Sequence, residues 1–279
     1  MPSPFRLLTL IAIAASVAAA GLASSKATTS KATVLYNIPL WEEGKVPLAS
    51  GTGPLDAPFL TVFLPPQGKN NGASIIVAPG GGNIMMMYGS EGFEIAERFN
   101  DWGAAAFVLT YRLSPKYGED ARILDGNRAV QVVRARANEW GLDPGKIGFA
   151  GFSAGSTLGR SVVAAAKAAD PGASDPLDRV GSRPDYLVLV YGPGRARPGE
   201  QLKDFPPTFL LAAAADQGNA NGSAQLFIEM NRAGAVAELH LYQKGRHGFG
   251  AAYASPEFSP WMPALRHFLE QDGFLPKGN

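Results

Sequence analysis

Cysteine is absent from this chain of 279 residues, which excludes disulfides, thiolate metal sites and a cysteine nucleophile. Histidine is scarce, and the three residues present are scattered along the chain without the spacing of zinc ligands. An excess of one charge is also lacking, because the chain has 25 basic and 24 acidic residues. It contains no run of basic residues that would bind a phosphate backbone. The sequence therefore predicts no metal, no cofactor and no nucleic-acid partner.

Long apolar runs are missing except near the N-terminus. There, a mostly apolar stretch from Leu7 to Ala20 follows the single charge of Arg6, and small residues come next. This pattern is typical of a secretory signal peptide, which we predict over residues 1–23. An uncleaved anchor is the alternative, but a spanning helix needs about 20 apolar residues and Lys26 comes too soon. We expect a secreted or periplasmic protein with no stable membrane insertion after cleavage.

After a polar stretch over residues 24–33, predicted to be a flexible leader, strand-like and helix-like segments alternate to the end of the chain. This alternation, without a linker or an internal repeat, predicts one α/β domain over residues 34–279, with a mostly parallel sheet covered by helices on both faces. Strands are predicted at 59–64, 73–78, 104–111, 147–152, 186–191, 208–215 and 237–242, and helices at 91–102, 123–140, 154–169, 223–232 and 261–269. In such sheets ligands bind beyond the carboxyl ends of the strands.

One turn between a predicted strand and a predicted helix carries a nucleophile motif. The segment from Gly151 to Gly155 reads G-x-S-x-G with Ser153 at its centre. In this context the serine projects from a sharp turn at the end of the sheet, and the flanking glycines leave room for the turn. A structural glycine turn is the plainer interpretation, but the strand–turn–helix placement favours Ser153 as a nucleophile.

A serine hydroxyl needs a base, and the choice lies among three histidines. His240 lies inside a predicted strand and His267 in the last helix, where packing or surface roles are expected. His247 lies in a glycine-rich loop directly after a strand, which brings it to the same edge of the sheet as Ser153. We therefore predict His247 as the base.

The acid of a Ser-His-Asp triad is expected between the serine and the histidine in chain order. Asp216 follows a predicted apolar strand directly, whereas Asp185 precedes one and would lie at the opposite edge. We predict Asp216 as the orienting acid; the alternative is a turn-forming or helix-capping aspartate.

A glycine run after another strand predicts donors for a developing oxyanion. We expect the amides of Gly81 and Gly82 to act with that of Ala154, and a plain turn is the alternative. The residues that follow, Asn83, Met86 and Tyr88, are predicted to line the substrate pocket, with core packing as an equal alternative for the methionines and the tyrosine.

These motifs together resemble the esterase branch of the α/β-hydrolases related to acetylxylan esterases and hormone-sensitive-lipase-like carboxylesterases. The resemblance covers roughly residues 38–275. It rests on the motifs Pro39-Leu40-Trp41, Pro79-Gly80-Gly81-Gly82, Glu91-Gly92, 107–113, Asp125 with Arg128-Ala129, 139–144, Gly151–Gly155, 182–185, Asp216 and 247–250. It implies an α/β-hydrolase fold, a metal-independent esterase acting on acetyl or other short acyl esters, often on carbohydrates, and the same triad.

Several positions depart from the pattern of that family. Asn83 stands where tyrosine is frequent, Ser156-Thr157 follow the motif where Gly-His is usual, and the loop 217–221 is unusually polar. The segment 192–207 is short where relatives carry a longer insertion, so we expect no substantial lid and no interfacial activation.

The residues and the resemblance together predict a serine carboxylesterase for short-chain acyl esters, with a small-molecule or carbohydrate ester as its substrate. Two alternatives stay open: a serine peptidase or amidase of the same fold, and a non-catalytic carbohydrate-binding protein that kept the fold.

Overall fold

The structure, a computed structural model, describes residues 35–251 and 261–278. The predicted signal peptide and leader lie outside this part of the chain. No helix of the described residues is both long and apolar enough to cross a bilayer.

Within the described residues, the centre of the fold is an eight-stranded sheet with the order β1-β2-β4-β3-β5-β6-β7-β8. Its strands are β1 (Leu35–Pro39), β2 (Phe59–Phe63), β3 (Ser74–Ala78), β4 (Ala105–Thr110), β5 (Ile147–Phe152), β6 (Tyr186–Val190), β7 (Thr208–Ala213) and β8 (Ala237–Tyr242). Strand β2 runs opposite to the rest, so its pairings with β1 and β4 are antiparallel, and the other pairings are parallel. The predicted mostly parallel sheet is confirmed.

Helices cover both faces of this sheet, as predicted. They are α1 (Glu94–Asp101), α2 (Glu119–Ala135), α3 (Ala154–Ala164), α4 (Gln217–Arg232) and α5 (Trp261–Gln271). Successive residues of β3 alternate between two hydrophobic clusters, because side chains along a strand point to opposite faces. Ile76 faces the cluster that holds α2, α3 and α4, whereas Val77 faces the cluster that holds α1 and α5.

The helix boundaries differ from the sequence prediction at several points. Helix α2 begins at Glu119 rather than 123 and ends at Ala135, and a 3₁₀ turn, Ala137–Trp140, takes up the rest of the predicted helix. Helix α5 ends at Gln271, two residues later than predicted. The predicted helix 91–102 begins with a π-helical turn, Gly89–Phe93, before α1. Helix α3 ends at Ala164 rather than 169, because the chain at Lys167 exchanges hydrogen bonds with Ser182 instead of continuing the helix. Helix α4 begins six residues earlier than predicted, at Gln217 rather than 223.

The edge strand β1 was absent from the sequence prediction. It pairs in antiparallel register with β2, so that Tyr36 lies opposite Val62. The parallel arrangement of β3, β5, β6, β7 and β8 has the larger consequence, because their carboxyl ends lie at one edge. The loops after these strands carry the predicted site residues.

Candidate active site

The turn between β5 and α3 holds Ser153 in a strained backbone conformation. Its φ is 52° and its ψ is −115°, outside the regions that a side chain normally allows. Glycine is required on both sides: a Cβ on Gly151 would come 2.1 Å from the carbonyl oxygen of Gly155, and one on Gly155 2.0 Å from that of Ala78. The sharp turn lifts the Ser153 hydroxyl out of the sheet edge.

The Ser153 side chain meets the loop that follows β8. Ser153 Oγ lies 2.7 Å from His247 Nε2, although the two residues are 94 positions apart. On the other side of the imidazole, His247 Nδ1 lies 2.7 Å from Asp216 Oδ2. The three predicted side chains therefore form a continuous chain of hydrogen-bonding groups, in the order that proton transfer from serine to histidine requires.

Glycines allow the loop after β8 to fold back toward Ser153. Gly245, Gly248 and Gly250 all have positive φ, and a Cβ on Gly250 would come 2.4 Å from the carbonyl oxygen of Ser90. The Ala251 amide donates to that same carbonyl at 2.9 Å. The loop is thereby attached to the π-helical turn that precedes α1.

The other two histidines lie away from this cluster. The His240 ring stacks against Phe209, and its Nε2 lies 2.5 Å from Glu238. His267 pairs with Gln271 one turn further along α5. Neither of these side chains contacts Ser153, so His247 is the imidazole available to the serine in the described residues.

Asp216 occupies the N-cap position of α4, but its side chain does not cap that helix. Instead, its carboxylate faces His247 and accepts hydrogen bonds from the side-chain amide of Asn219, with Nδ2 at 3.0 Å from Oδ1 and 2.9 Å from Oδ2. The sequence analysis did not assign Asn219 to the site. The unusual polarity of the loop 217–221 was the feature that could have pointed to it.

The glycine loop after β3 lies directly against Ser153. A Cβ on Gly80 would come 2.8 Å from Ser153 Cβ, which makes glycine necessary there. The carbonyl oxygens of Gly80 and Gly81 accept hydrogen bonds from amides of residues 84–87, so they are turned into the loop. Within the described part of the chain, the amides of Gly81, Gly82 and Ala154 donate to no protein acceptor. They are available to a ligand oxygen.

The amide of Gly80 has a different partner. It donates to Glu91 Oε2 at 2.7 Å, and the Glu91 carboxylate is 2% exposed. The other carboxylate oxygen accepts from the hydroxyl of Tyr191 at 2.8 Å. Sequence reasoning assigned neither Glu91 nor Tyr191 to the site, although Glu91 belongs to one of the motifs that carry the family resemblance.

Two buried tyrosines hold the loops around Ser153 as hydrogen-bond donors. The Tyr111 hydroxyl donates to the Pro79 carbonyl at 2.7 Å, next to the glycine run. Burial raises the pKa of Tyr111 and of Tyr191 well above the ordinary tyrosine value. Both hydroxyls are therefore protonated, and able to donate, at neutral pH.

The three residues predicted to line the pocket have mixed environments. Met86 and Tyr88 are partly buried and line an apolar cavity of about 180 Å³, together with Pro58 and Leu113. The Tyr88 hydroxyl lies 2.8 Å from Thr110 Oγ1, so it already has a hydrogen-bond partner within the protein. Asn83 is partly buried, has a positive φ of 62°, and its carbonyl accepts from the Ser114 amide.

Comparison with a protein-family model and with curated proteins gives consistent matches. The BD-FAE family model matches residues 60–174, a range that includes the glycine loop and Ser153. The acetylxylan esterase of Xylanibacter ruminicola is 27% identical over 246 residues, which cover 77% of this chain and 47% of that protein. Endo-1,4-beta-xylanase B of Butyrivibrio fibrisolvens is 28% identical over 71% of this chain and 35% of its own length. The chain thus spans about half or less of these curated relatives.

Solved structures match over nearly their whole length. An acetyl ester-xyloside bifunctional hydrolase from Caldicellulosiruptor lactoaceticus superposes with a TM-score of 0.79 and 30% identity, covering 86% of this chain and 97% of that one. An esterase from Thermogutta terrifontis superposes with a TM-score of 0.70 and 20% identity, covering 88% and 97%. These matches confirm the α/β-hydrolase fold class.

Proposed function

The chain belongs to the α/β-hydrolase esterases related to acetylxylan esterases, and on that premise we propose that it is a serine carboxylesterase for short-chain acyl esters, including acetyl esters on carbohydrate. The observation that carries the proposal is the contact of 2.7 Å between Ser153 Oγ and His247 Nε2, continued at 2.7 Å to Asp216. A nucleophile, a base and an orienting acid in this order are the arrangement that acyl transfer needs.

In the proposed acylation step, Ser153 Oγ attacks the ester carbonyl carbon while His247 Nε2 takes the hydroxyl proton. Asp216 accepts a hydrogen bond from His247 Nδ1–H. This hydrogen bond holds the imidazole in the correct tautomer and stabilises the imidazolium. The carbonyl oxygen becomes an oxyanion and accepts hydrogen bonds from the amides of Gly81, Gly82 and Ala154. His247 then returns the proton to the leaving alcohol as the carbon–oxygen bond breaks.

Deacylation repeats the same proton transfers with water. His247 takes a proton from a water molecule, whose oxygen attacks the acyl carbon, and the amides stabilise the second oxyanion. His247 then gives its proton to Ser153 Oγ as the acid leaves. The side chain of His247 is 44% exposed, which gives water direct access to the base.

The substrate class rests on the relatives and on the size of the apolar cavity that Met86 and Tyr88 line. The names of two relatives state an acetylated substrate, acetylxylan for one and an acetyl ester for the other. The apolar cavity beside Met86 and Tyr88, at about 180 Å³, matches a short acyl group better than a long one. We include export in the proposal, with the enzyme secreted or periplasmic, on the pattern of residues 1–23.

The test is an ester panel with a serine variant. Nitrophenyl esters from acetyl to octanoyl, together with acetylated xylan, are assayed with the wild type, with Ser153→Ala and with Ser156→Ala. Ser156 lies one turn further along the same helix, and its buried hydroxyl has no hydrogen-bond partner among the described residues. We expect turnover of the shorter esters, a loss of at least about 10³-fold in kcat for Ser153→Ala, and near wild-type activity for Ser156→Ala.

This assay, extended by a nitroanilide substrate and a fluorophosphonate probe, separates the alternative functions. Equal activity of the wild type and Ser153→Ala would contradict the mechanism. Faster turnover of a nitroanilide than of the matching nitrophenyl ester would indicate a peptidase or amidase instead. A protein that binds acetylated xylan but shows no turnover, and whose Ser153 does not react with a fluorophosphonate probe, would be a binding protein.

A further inference from the structure

Glu91 is a buried carboxylate that lies between the two loops flanking Ser153. It belongs to the π-helical turn Gly89–Phe93, and no ion pair to it exists among the described residues. The cost of burying a carboxylate is offset here by two donated hydrogen bonds, from the Gly80 amide and from the Tyr191 hydroxyl. Each donor belongs to a different loop or strand end, so the carboxylate joins separate parts of the site.

Tyr191 continues the connection to the loop that carries His247. Its hydroxyl oxygen accepts a hydrogen bond from the Gly250 amide at 3.0 Å, three residues after His247. Its ring lies 4.9 Å from the His247 imidazole, centroid to centroid. Its backbone has a φ of 37°, a conformation that an aromatic residue adopts only when the surrounding structure imposes it.

We infer that Glu91 and Tyr191 are positioning residues, which hold the oxyanion amides in register with the His247 imidazole. The inference rests on the proposed esterase function. The connection runs from the Gly80 amide through the Glu91 carboxylate and the Tyr191 hydroxyl to the Gly250 amide. Gly80 precedes the amides of Gly81 and Gly82, and Gly250 follows His247, so one buried network reaches both halves of the catalytic machinery.

The chemical reason for such a connection is the geometry of acyl transfer. While Ser153 Oγ attacks the carbonyl carbon, its proton passes to His247 and the oxyanion forms on the carbonyl oxygen, so the imidazole and the oxyanion amides must both be in place around one reacting centre. The glycine loop and the histidine loop are distant in sequence and rich in glycine, which leaves each of them free to move. The buried pair of Glu91 and Tyr191, hydrogen-bonded to one loop each, removes that independence.

The experiment compares Tyr191→Phe and Glu91→Gln with Tyr186→Phe in the full chain. Tyr186 begins β6, the strand that Tyr191 follows, and its buried hydroxyl donates to the Ser74 carbonyl at 2.9 Å. Tyr186→Phe therefore removes the same buried group from the opposite end of the same strand. In Glu91→Gln the amide nitrogen faces one of the two donors, so only one of the two hydrogen bonds persists.

We expect kcat for a nitrophenyl acetate substrate to fall about 10- to 100-fold in Tyr191→Phe and in Glu91→Gln, with KM changed little. In Tyr186→Phe kcat should stay within about 3-fold of the wild type, although its melting temperature falls as far as that of Tyr191→Phe. The double variant Glu91→Gln/Tyr191→Phe should be about as slow as the slower single variant, because both changes break one network. Additive losses would overturn the inference.

Hydrogen exchange tests the connection without any substrate. Glu91→Gln should speed amide exchange in residues 245–250, to which the Glu91 side chain makes no hydrogen bond, and Tyr191→Phe should speed it in residues 80–87. If Glu91→Gln changed exchange only in the glycine loop, and Tyr191→Phe only in the loop that carries His247, the inference would be overturned even in an active enzyme. Failure of the proposed function gives a different result, an inactive wild type whose Ser153 does not react with a fluorophosphonate.

Discussion

Asp216 illustrates how one side chain is diverted from a local capping role to the one that we propose for it in catalysis. An aspartate at a helix N-cap usually accepts a hydrogen bond from an amide of the first turn. Here the carboxylate faces His247, and the side chain of Asn219, three residues later, supplies the donor instead. The proposed acid is therefore fixed from two sides, by the imidazole and by a carboxamide of its own helix.

The Asn219 amide nitrogen also lies 3.1 Å from His247 Nδ1, and this contact bears on the tautomer. When Nδ1 carries the proton that Asp216 accepts, the ring nitrogen has no lone pair for a second donor. In that tautomer the Asn219 amide donates to the Asp216 carboxylate and not to the imidazole. Asn219 acts on His247 through Asp216.

We predict that Asn219→Ala lowers kcat/KM about 5- to 30-fold, because hydrogen bonds worth about 1–2 kcal/mol to the Asp216 carboxylate are lost. The control is Asn221→Ala, the same change two residues further along α4 at an exposed position. Ester hydrolysis measured across a range of pH checks both variants. Equal rates for the two variants would show that Asn219 does not orient Asp216.

At the scale of elements, the segment before β2 is attached to the loop between β4 and α2 by a buried acid. Asp56, in the 3₁₀ turn Pro54–Asp56, accepts hydrogen bonds from the Tyr117 hydroxyl and from the Gly53 amide, and pairs with Lys116 at 2.5 Å. The residues that follow it, Ala57 and Pro58, form one wall of the cavity beside Met86. The attachment therefore supports the proposed acyl pocket.

The Lys116 ammonium and the Tyr117 hydroxyl lower the pKa of Asp56 from its ordinary 3.8 to about 2. A folded-state pKa below the unfolded value means that the ionised carboxylate stabilises the fold at any pH above 3.8. That stabilisation is lost as the pH falls from 3.8 through about 2. We predict that Asp56→Asn lowers the free energy of unfolding at pH 7 and that the difference from the wild type shrinks toward pH 2.

Urea unfolding at several pH values checks this prediction, with Glu43→Gln as the control. Glu43 is an exposed acid in the same N-terminal segment, and its substitution should change the free energy of unfolding by less than about 0.5 kcal/mol. A deficit in Asp56→Asn that is as large at pH 2 as at pH 7 would point to lost packing rather than lost charge.

A second attachment, between β4 and α2, is a buried ion pair. Arg112, directly after β4, donates from Nη2 to Asp125 Oδ1 at 2.7 Å, and the Asp125 carboxylate also accepts the Arg112 backbone amide at 3.0 Å. Both side chains are almost completely buried. Removing one charge of such a pair leaves the other buried without a partner, so we expect substitution of either residue alone to be strongly destabilising.

At the scale of the whole molecule, the proposed site lies at the open edge of the sheet. The connection from β6 to β7 has one regular element in the described residues, the 3₁₀ turn Leu202–Asp204. The side chain of His247 is 44% exposed. Because the residues that the structure describes leave His247 exposed, we expect no closed state for a lipid surface to open.

We predict that the enzyme shows no interfacial activation. The rate of tributyrin hydrolysis should follow a simple saturation curve through the solubility limit of the substrate, whereas a lipase with a lid, assayed in parallel, should show a sharp rise there. A rise in rate above the solubility limit for this enzyme would mean that part of the chain covers the site at rest.

Much of this organisation was predictable from the amino-acid sequence. The apolar run 147–152 coincides with β5, whose residues are all buried, because strands buried on both faces must be continuously apolar. Boundaries set by tertiary contacts were less accurate: α3 ends early where Lys167 pairs with Ser182, and β1 forms because β2 offers it an edge. The local pattern of residues 35–39 contains no comparable signal.

The sequence by itself determined the layers of the fold and the residue types at the strand ends, because periodicity and glycine placement are local properties of the chain. Tertiary structure alone decided which of these residues meet. The connection of Glu91 to Tyr191 joins residues 100 positions apart, and that of Ser153 to His247 residues 94 apart. Such contacts depend on the order of parallel strands in the sheet, because that order places the loops at one edge, where the loop after β8 reaches past β7 and β6 to the turn after β5.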